Sequence, residues 1–319
     1  MRFTVFTPTY NRAHTLPRLY QSIRRQTLRD FEWLVVDDGS TDDTPKLIQR
    51  WQTEGNDFPI RYFWQPNQHK KVAFNRGVRE AQGEWFVPID SDDELLPDAL
   101  EQFARMWETI PEDARERYCA VVGLCVNSEG KVVGDLFPNA PLDADAVALF
   151  FDYRVRGEKF SCLRTSALRA YPFPEDIPNL VPEGVVWFRM ARTYTQRCFN
   201  VPVRIYHRDV ESLTRPSNPL LARACHAPGA VLSYAEALDH ITWRRLTRAP
   251  HFAVFLAVQY GRFVCYLTPG VRPAKPSRPM GRFLAFLFRP AGVLLYGLDR
   301  LRLTEKLRSW FERLHLRFW

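Results

Sequence analysis

A chain of 319 residues, 46% hydrophobic and 14% aromatic, can bury a sizeable core in one large domain or two ordinary ones, which excludes disorder over most of its length. Its formal charge of +8 is unevenly spread. Residues 241–319 carry fifteen Lys and Arg against three acids (Asp299, Glu305, Glu312), while residues 1–240 carry 29 against 33, so the basic character belongs to the C-terminal part and points to a separate partner for it.

The first residues lack the long apolar stretch of a signal peptide and run directly into a strand over residues 3–7. Leu16, Leu19, Tyr20 and Ile23 recur at helical spacing. A second strand over residues 31–36 ends in Asp37-Asp38-Gly39-Ser40-Thr41-Asp42-Asp43, and Thr44 followed by Pro45 predicts a helix start that Leu47, Ile48 and Trp51 continue. Residues 60–64 read as a third strand, 72–81 as a helix and 85–89 as a fourth strand; Pro97 then opens a helix that turns Leu100, Phe103, Ala104 and Trp107 inward. Strands alternating with helices predict βαβ units, and so an α/β fold with a mostly parallel sheet flanked by helices.

From about residue 119 the pattern changes. Residues 119–126 and 131–133 flank Asn127-Ser128-Glu129-Gly130, a hairpin signal, and residues 160–163, 182–194 and 198–206 read as strand, helix and strand. These pieces extend the sheet with antiparallel strands, giving a first domain over residues 1–215. Arg215-Pro216-Ser217-Asn218-Pro219 marks a boundary, and residues 216–319 form a basic helical extension interrupted by a Pro-rich linker over residues 268–279. Cys119, Cys125, Cys162, Cys198, Cys225 and Cys265 include no CxxC pair and no metal-ligand spacing, the pattern of reduced, mostly buried thiols in a cytosolic protein.

Three strand ends carry polar clusters: Thr7-Pro8-Thr9-Tyr10-Asn11-Arg12, Asp37-Asp38-Gly39-Ser40, and Asp90-Ser91-Asp92-Asp93. Ligands of open α/β sheets bind beyond the carboxyl ends of the strands. Asp90 to Glu94 put four carboxylates in five positions, a repulsion that a cation relieves. Asp90 and Asp92 lie two apart, on the same side of an extended backbone, and Mg²⁺ or Mn²⁺ takes oxygen ligands from one or two carboxylates plus substrate phosphates. The competing reading is a solvated acidic loop capping the next helix, for which Asp93 or Glu94 suffices. Asp42 and Asp43 fit the same capping role, whereas Asp38 suits a base N–H or a ribose hydroxyl. The loop from Pro8 to Arg12 has no glycine, which excludes the G-x-G-x-x-G turn and the P-loop.

Taken together, Phe6-Thr-Pro-Thr-Tyr-Asn-Arg12, Gln26-Thr27 before Phe31-Glu32-Trp33-Leu-Val-Val-Asp-Asp-Gly-Ser-Thr-Asp42, and Asn75-Arg76-Gly77 with Ala81-Gln82-Gly83-Glu84-Trp85 and Asp90-Ser-Asp-Asp93 resemble a bacterial family 2 glycosyltransferase with the GT-A fold. The resemblance covers residues 1–215 in order and spacing. It implies an inverting, metal-dependent hexosyltransferase that draws on a nucleoside-diphosphate sugar, a UDP-sugar foremost. Pro8, Thr9 and Asn11 would line the nucleotide pocket, Asp38 would meet the base, Asn75 would help hold the donor, and Asp90 with Ser91 would lie near the ribose. Asp92, joined by Asp90, would bind the Mn²⁺ or Mg²⁺ bridging the diphosphate, and members of the fold often bring a late histidine, here His207, to that metal. Glu183 would be the general base; many relatives have Glu-Asp where this chain has Glu183-Gly184, so Glu175 and Asp176 are fallback carboxylates. Lys70, Lys71 and Arg76 suit phosphate contacts or a solvated surface equally. Two other classes fit the same crevice: a nucleotidyltransferase releasing pyrophosphate, and a non-catalytic glycan-assembly scaffold, against which the intact Asp90-Ser91-Asp92 weighs.

In the basic extension, residues 283–298 are shorter than the roughly 20 apolar residues of a membrane-spanning helix and are broken by Arg289-Pro290. After them Leu303, Leu307, Trp310, Phe311, Leu314 and Phe318 line one helical face, with Arg302, Lys306, Arg308, Glu312 and Arg313 elsewhere. Such a helix suits an anionic membrane surface; the competing expectation is packing on its own domain or in a homo-oligomer. No nucleic-acid-binding motif accompanies the charge. The expected protein is therefore cytoplasmic, peripheral on the inner face of the cell membrane, with a lipid-linked or cell-surface glycan as acceptor.

Overall fold

The computed structural model describes residues 1–207, 219–301 and 303. The boundary expected at residues 215–218 and the amphipathic helix expected after Leu303 lie outside the described residues. The chain divides into two compact units, one formed by Met1–Glu175 with the residues from Val186 through the last strand, the other by Asp176–Val185 with the later helices.

In the first unit the chain runs β1 (Phe3–Thr9), α1 (Leu16–Arg24), β2 (Phe31–Asp37), α2 (Thr44–Thr53), β3 (Ile60–Trp64), α3 (Lys70–Glu80), β4 (Trp85–Pro88), β5 (Glu94–Leu95), α4 (Ala99–Glu108), β6 (Tyr118–Val126), β7 (Leu142–Ala144), β8 (Lys159–Arg164) and α5 (Thr165–Ala170). α6 (Gly184–Met190) and β9 (Thr195–Ile205) follow, and the helix expected over residues 182–194 is thus shorter. Among the described residues the strands form one mixed sheet, ordered β3-β2-β1-β4-β8-β6-β9-β5, with β7 pairing β9. β3, β2, β1 and β4 are parallel neighbours, so Trp64, Asp37, Thr9 and Pro88 end on one edge. The expected antiparallel additions are present where β8 joins β4 and β6 and where β5 and β7 join β9, whereas β6 and β9 run parallel. The Asn127–Gly130 turn forms as expected, its Asn127 Oδ1 accepting from the N–H groups of Glu129 and Lys131, but the returning residues make a single bridge, Val126 to Val132.

The helical faces read from the sequence are those that bury. Leu16, Leu19, Tyr20 and Ile23 of α1 are all buried, and Tyr20 stacks on both Trp51 of α2 (4.2 Å) and Trp33 of β2 (5.7 Å). Leu100, Phe103, Ala104 and Trp107 of α4 are buried as well, with Trp107 stacked on Trp85 at 3.8 Å. Such aromatic pairs contribute about 1 kcal/mol each beyond their area. Thr44 does not cap α2: its hydroxyl accepts from Arg12 N–H (3.1 Å), and Asp42 accepts from Thr44 N–H (3.0 Å) in its place.

The second unit holds α7 (Pro219–Asp239), α8 (Trp243–Arg248), α9 (Pro250–Val264), α10 (Pro279–Leu287) and α11 (Arg289–Arg300). Asp299 of α11, with no exposed surface, accepts from Arg262 Nε (2.6 Å) of α9, Arg223 Nη1 (2.9 Å) of α7 and the Tyr266 hydroxyl (2.8 Å). Gly261 and Gly292 let α9 and α11 touch backbone to backbone; a Cβ on Gly292 would lie 2.6 Å from Arg262 N. Among the described residues no single helix is long and apolar enough to cross a membrane; α10 and α11 pass on length and composition only as a pair bent by 51°.

Candidate active site

The edge where the four parallel strands end gathers the predicted clusters. Thr9 closes β1, and its carbonyl accepts from the N–H of Asp38 (2.8 Å). The Asp38 carboxylate, nearly buried, accepts from Gln65 Nε2 (2.8 Å) and Gln68 N–H (3.0 Å), which fixes it beside the end of β3. Asp37 accepts from Ser40 N–H and from the Tyr62 hydroxyl (2.7 Å); burial and this carboxylate together hold the Tyr62 pKa above its ordinary value. Asn11, at φ 52°, latches two loops: its Oδ1 accepts from Thr41 N–H (2.8 Å) and its N–H donates to Ser40 Oγ (2.9 Å). Pro8 lies within β1 opposite Val36. Thr9 Oγ1 is buried with no hydrogen-bond partner, an orphaned polar atom among these loops. A buried hydroxyl without a partner is costly unless something else meets it.

The acidic cluster follows β4. Asp90, Asp92 and Asp93 each offer a carboxylate oxygen, and these lie within 4.8 Å of one another. Lys70 Nζ, at the start of α3, contacts Asp90 at 2.7 Å. Arg204 of β9 pairs with Asp93 and lies 3.7 Å from Asp90, its guanidinium sandwiched at 5.2 Å from each of the Phe160 and Tyr206 rings. Burial works to raise the Asp90 pKa, but Lys70 and Arg204 outweigh it and hold the carboxyl below its usual range. For Asp93 burial prevails over Arg204 and pushes the pKa up to about 6. Arg18 of α1 donates to the carbonyl of Asp92. Ser91 is buried. Three carboxylate oxygens at this spacing make an all-oxygen site; that chemistry fits a hard divalent cation such as Mn²⁺ or Mg²⁺ and not a soft one.

Several predicted site residues have further partners in the structure. His207 was expected at the metal; its Nε2 is bonded to Glu94 (2.9 Å) and its N–H donates to Asp93 (2.9 Å), while the third carboxylate of the cluster is Asp93, which the sequence suggested only as a cap. The Asn75 amide is engaged by the 173–175 loop, donating to Phe173 O (2.9 Å) and Glu175 Oε1 (2.8 Å) and accepting from Phe173 N–H (2.9 Å). Arg76 donates to Trp64 O (2.9 Å), and Lys71 is buried. Glu183 immediately precedes α6 in the segment Asp176–Val185 of the second unit, where Asn179 donates to Cys225 O (2.8 Å). Sequence reasoning missed Arg204 and Gln65. An arginine between Val203 and Ile205 in an apolar strand was the available signal for the first; nothing local singled out the second. An open depression of about 880 Å³, lined by Arg18, Lys131, Tyr206 and His207 among others, adjoins the acidic cluster.

Comparison with known proteins places this geometry. The family model described as glycosyl transferase family 2 matches residues 4–115. A protein of Campylobacter jejuni, GalNAc(5)-diNAcBac-PP-undecaprenol beta-1,3-glucosyltransferase, is 30% identical over 226 residues, covering 68% of this chain and 69% of that protein. Chondroitin synthase of Escherichia coli is 37% identical over 98 residues, 31% of this chain and 14% of that one. Among solved structures, S. aureus TarS 1-349 in complex with UDP-GlcNAc superposes with a TM-score of 0.56 at 15% identity, covering 94% of this chain and 92% of that one. The mannosyltransferase PcManGT from Pyrobaculum calidifontis, in complex with GDP-Man and Mn²⁺, gives 0.53 at 22% identity, covering 97% and 82%. At these identities the two structures establish a shared fold, that of GT-A glycosyltransferases.

Proposed function

The chain belongs to glycosyl transferase family 2, and from that premise we propose that it transfers a hexose from a UDP-sugar to a lipid-linked or cell-surface glycan, inverting the anomeric centre. The observation that carries the reading is the cluster of Asp90, Asp92 and Asp93 at the edge shared by β1, β2, β3 and β4, beside the buried, unpartnered Thr9 hydroxyl. Support for the donor comes from the neighbour solved with UDP-GlcNAc, and for the acceptor from the Campylobacter relative, whose name specifies an undecaprenol-linked substrate.

In this reading Thr9, Asn11 and Pro8 form one wall of the nucleotide pocket and Asp38, held by Gln65 and Gln68, accepts from the base. Asp90 and Ser91 lie toward the ribose, and Asp90 with Asp92 would hold Mn²⁺ or Mg²⁺, with Asp93 as the third carboxylate. The metal would supply Lewis-acid stabilisation of the charge growing on the departing nucleoside diphosphate. Glu183 accepts the proton of the acceptor hydroxyl, whose oxygen displaces the nucleoside diphosphate directly. The depression bordered by Arg18 and Lys131 suits the acceptor's approach, because these two cations complement a diphosphate. The place of action is the inner face of the cell membrane, where a lipid-linked acceptor is presented.

The test is nucleoside-diphosphate release from UDP-, GDP- and dTDP-sugars with Mn²⁺ or Mg²⁺, comparing wild type with Asp92→Asn and Glu183→Gln. Metal-dependent release from one UDP-sugar, lost in Asp92→Asn, is expected; Glu183→Gln should retain donor-induced thermal stabilisation and lose transfer. Release of pyrophosphate would make the chain a nucleotidyltransferase. Neither release nor a donor-induced thermal shift would leave only a scaffold.

A further inference from the structure

α10 and α11 are apolar on two opposite faces, and among the described residues only one of them is buried. The inner face, Gly281, Leu284 and Ala285 of α10 and Gly292 and Asp299 of α11, is buried within the helical unit. The outer face repeats at helical spacing: Phe283 (58% exposed), Phe286 (78%) and Leu287 on α10, then Val293, Leu294 (65%) and, just beyond α11, Leu301 (68%). Isolated exposed apolar residues need no explanation, but a continuous stripe of this kind marks an interaction surface.

The charges around the stripe select its partner. Between Val271 and Leu301 the exposed charged side chains are Arg272, Lys275, Arg278, Arg282, Arg289 and Arg300; the single acid, Asp299, is buried under Arg262 and Arg223. A second copy of the chain meeting this face about a two-fold axis would set these cations against their own images, which is repulsive. An anionic lipid surface accepts both elements at once: the apolar stripe enters the acyl boundary while the arginines meet phosphate headgroups. The Asp299 ion network ties α11 to α9 and α7, so the inner face is closed to lipid and only the outer one is open to it. α10 and α11 have nine and twelve residues, about 14 and 18 Å of helix, each well short of a hydrocarbon core of about 30 Å.

We propose that the outer face of α10–α11 is an in-plane docking surface for an anionic bilayer, with Phe283, Phe286, Val293 and Leu294 inserted and Arg282, Arg289 and Arg300 on headgroup phosphates. The surface deepens the proposed function by holding the chain at the bilayer that carries a lipid-linked acceptor, yet it stands on its own exposed residues and is tested without catalysis.

The full chain is sedimented with phosphatidylcholine–phosphatidylglycerol vesicles and with pure phosphatidylcholine vesicles, as wild type, as Phe286→Ser/Leu294→Ser and as Arg282→Glu/Arg289→Glu. Wild type should bind the anionic vesicles at least about tenfold more tightly than the neutral ones, and the apolar double variant should lose about tenfold or more on the anionic vesicles. The charge-reversal variant should lose the preference for phosphatidylglycerol. The apolar double variant should keep the wild-type melting temperature and donor hydrolysis, since Phe286 and Leu294 lie on the outer face. Vesicle binding unaltered in Phe286→Ser/Leu294→Ser, or absent in wild type, would overturn the proposal. So would a wild-type dimer that this variant converts to a monomer, which would assign the face to a second copy. Donor hydrolysis is read in the same preparations, so a failure of docking is distinguishable from a failure of the transferase reading.

Discussion

Replacing Arg204 with Met should destabilise the protein and, in the same stroke, make it a better binder of divalent cations. Arg204 is 6% exposed and pairs with Asp93, which is 1% exposed. Removing one partner of a buried pair leaves an uncompensated charge, at about 3–5 kcal/mol. Asp90, at 3.7 Å from the guanidinium, is 38% exposed and keeps much of its hydration, so its lost attraction adds no more than about 1 kcal/mol. A deficit of about 4 kcal/mol in urea unfolding without metal is therefore expected. With Arg204 gone, one cation fewer opposes the metal, and Mn²⁺ should bind about tenfold or more tightly than in wild type. At metal concentrations far above either Kd, tenfold in affinity returns about 1.4 kcal/mol, so the deficit should shrink to about 2.5 kcal/mol when Mn²⁺ is present. The measurement is urea unfolding of wild type and Arg204→Met by tryptophan fluorescence, with and without Mn²⁺. A deficit under about 1 kcal/mol, or one that Mn²⁺ leaves unchanged, would falsify the claim that Arg204 serves the cluster as its internal counter-charge.

Further outcomes test other parts of the structure. Gly83→Ala places a Cβ 2.4 Å from the main chain of Phe3 and Thr4, which no rotamer relieves, and should cost about 3 kcal/mol; unchanged urea unfolding would mean that the 81–84 turn moves freely against β1. Asn75→Ala should expose residues 173–175 to faster amide exchange while leaving donor affinity within about threefold, because its amide is bonded to Phe173 and Glu175; collapse of donor binding with exchange unchanged would return Asn75 to the donor. Burial holds the thiols of Cys119, Cys125 and Cys198 up to about 12, against an ordinary 9.0. Their folded pKa values lie above the unfolded one, so their contribution is intact below pH 9 and declines as pH rises from 9 toward 12, by roughly 1 kcal/mol each by pH 10. Replacing all three with Ala should flatten the loss of stability between pH 8 and pH 10, and an identical slope would contradict the burial argument.

The sequence announced the parallel half of the sheet because its strands are enclosed. Every residue of β1 and β2 is buried, so both read as continuous apolar runs stopped by polar turns, and their helices showed one inward stripe each. The later strands carried weaker signals. β5 is two residues long and β7 three, with Glu94 in one and Asp143 in the other, and their membership is decided by β9, more than fifty residues farther along. The parallel pairing of β6 with β9 passes through three register shifts, so no local periodicity specifies it. The helix expected over residues 182–194 begins only at Gly184 and ends at Met190, and the next residues turn into β9.

The same division between local and distant causes explains the site. Thr9, Asp38, Asp90 and Asp92 stood out because a buried strand ending in polar residues is a local pattern. Asp93, for which capping was the competing reading, instead meets a partner 111 residues away. That partner is delivered by topology: the short pairing of β5 with β9 sets Leu95 opposite Arg204 and brings the guanidinium under the acidic turn. The consequence is electrostatic. Lys70 and Arg204 pair with the acidic turn and Arg12 adds attraction on Asp90, which lets the cluster fold without metal. The three carboxylate oxygens stay close enough together to attract a divalent cation arriving with a diphosphate.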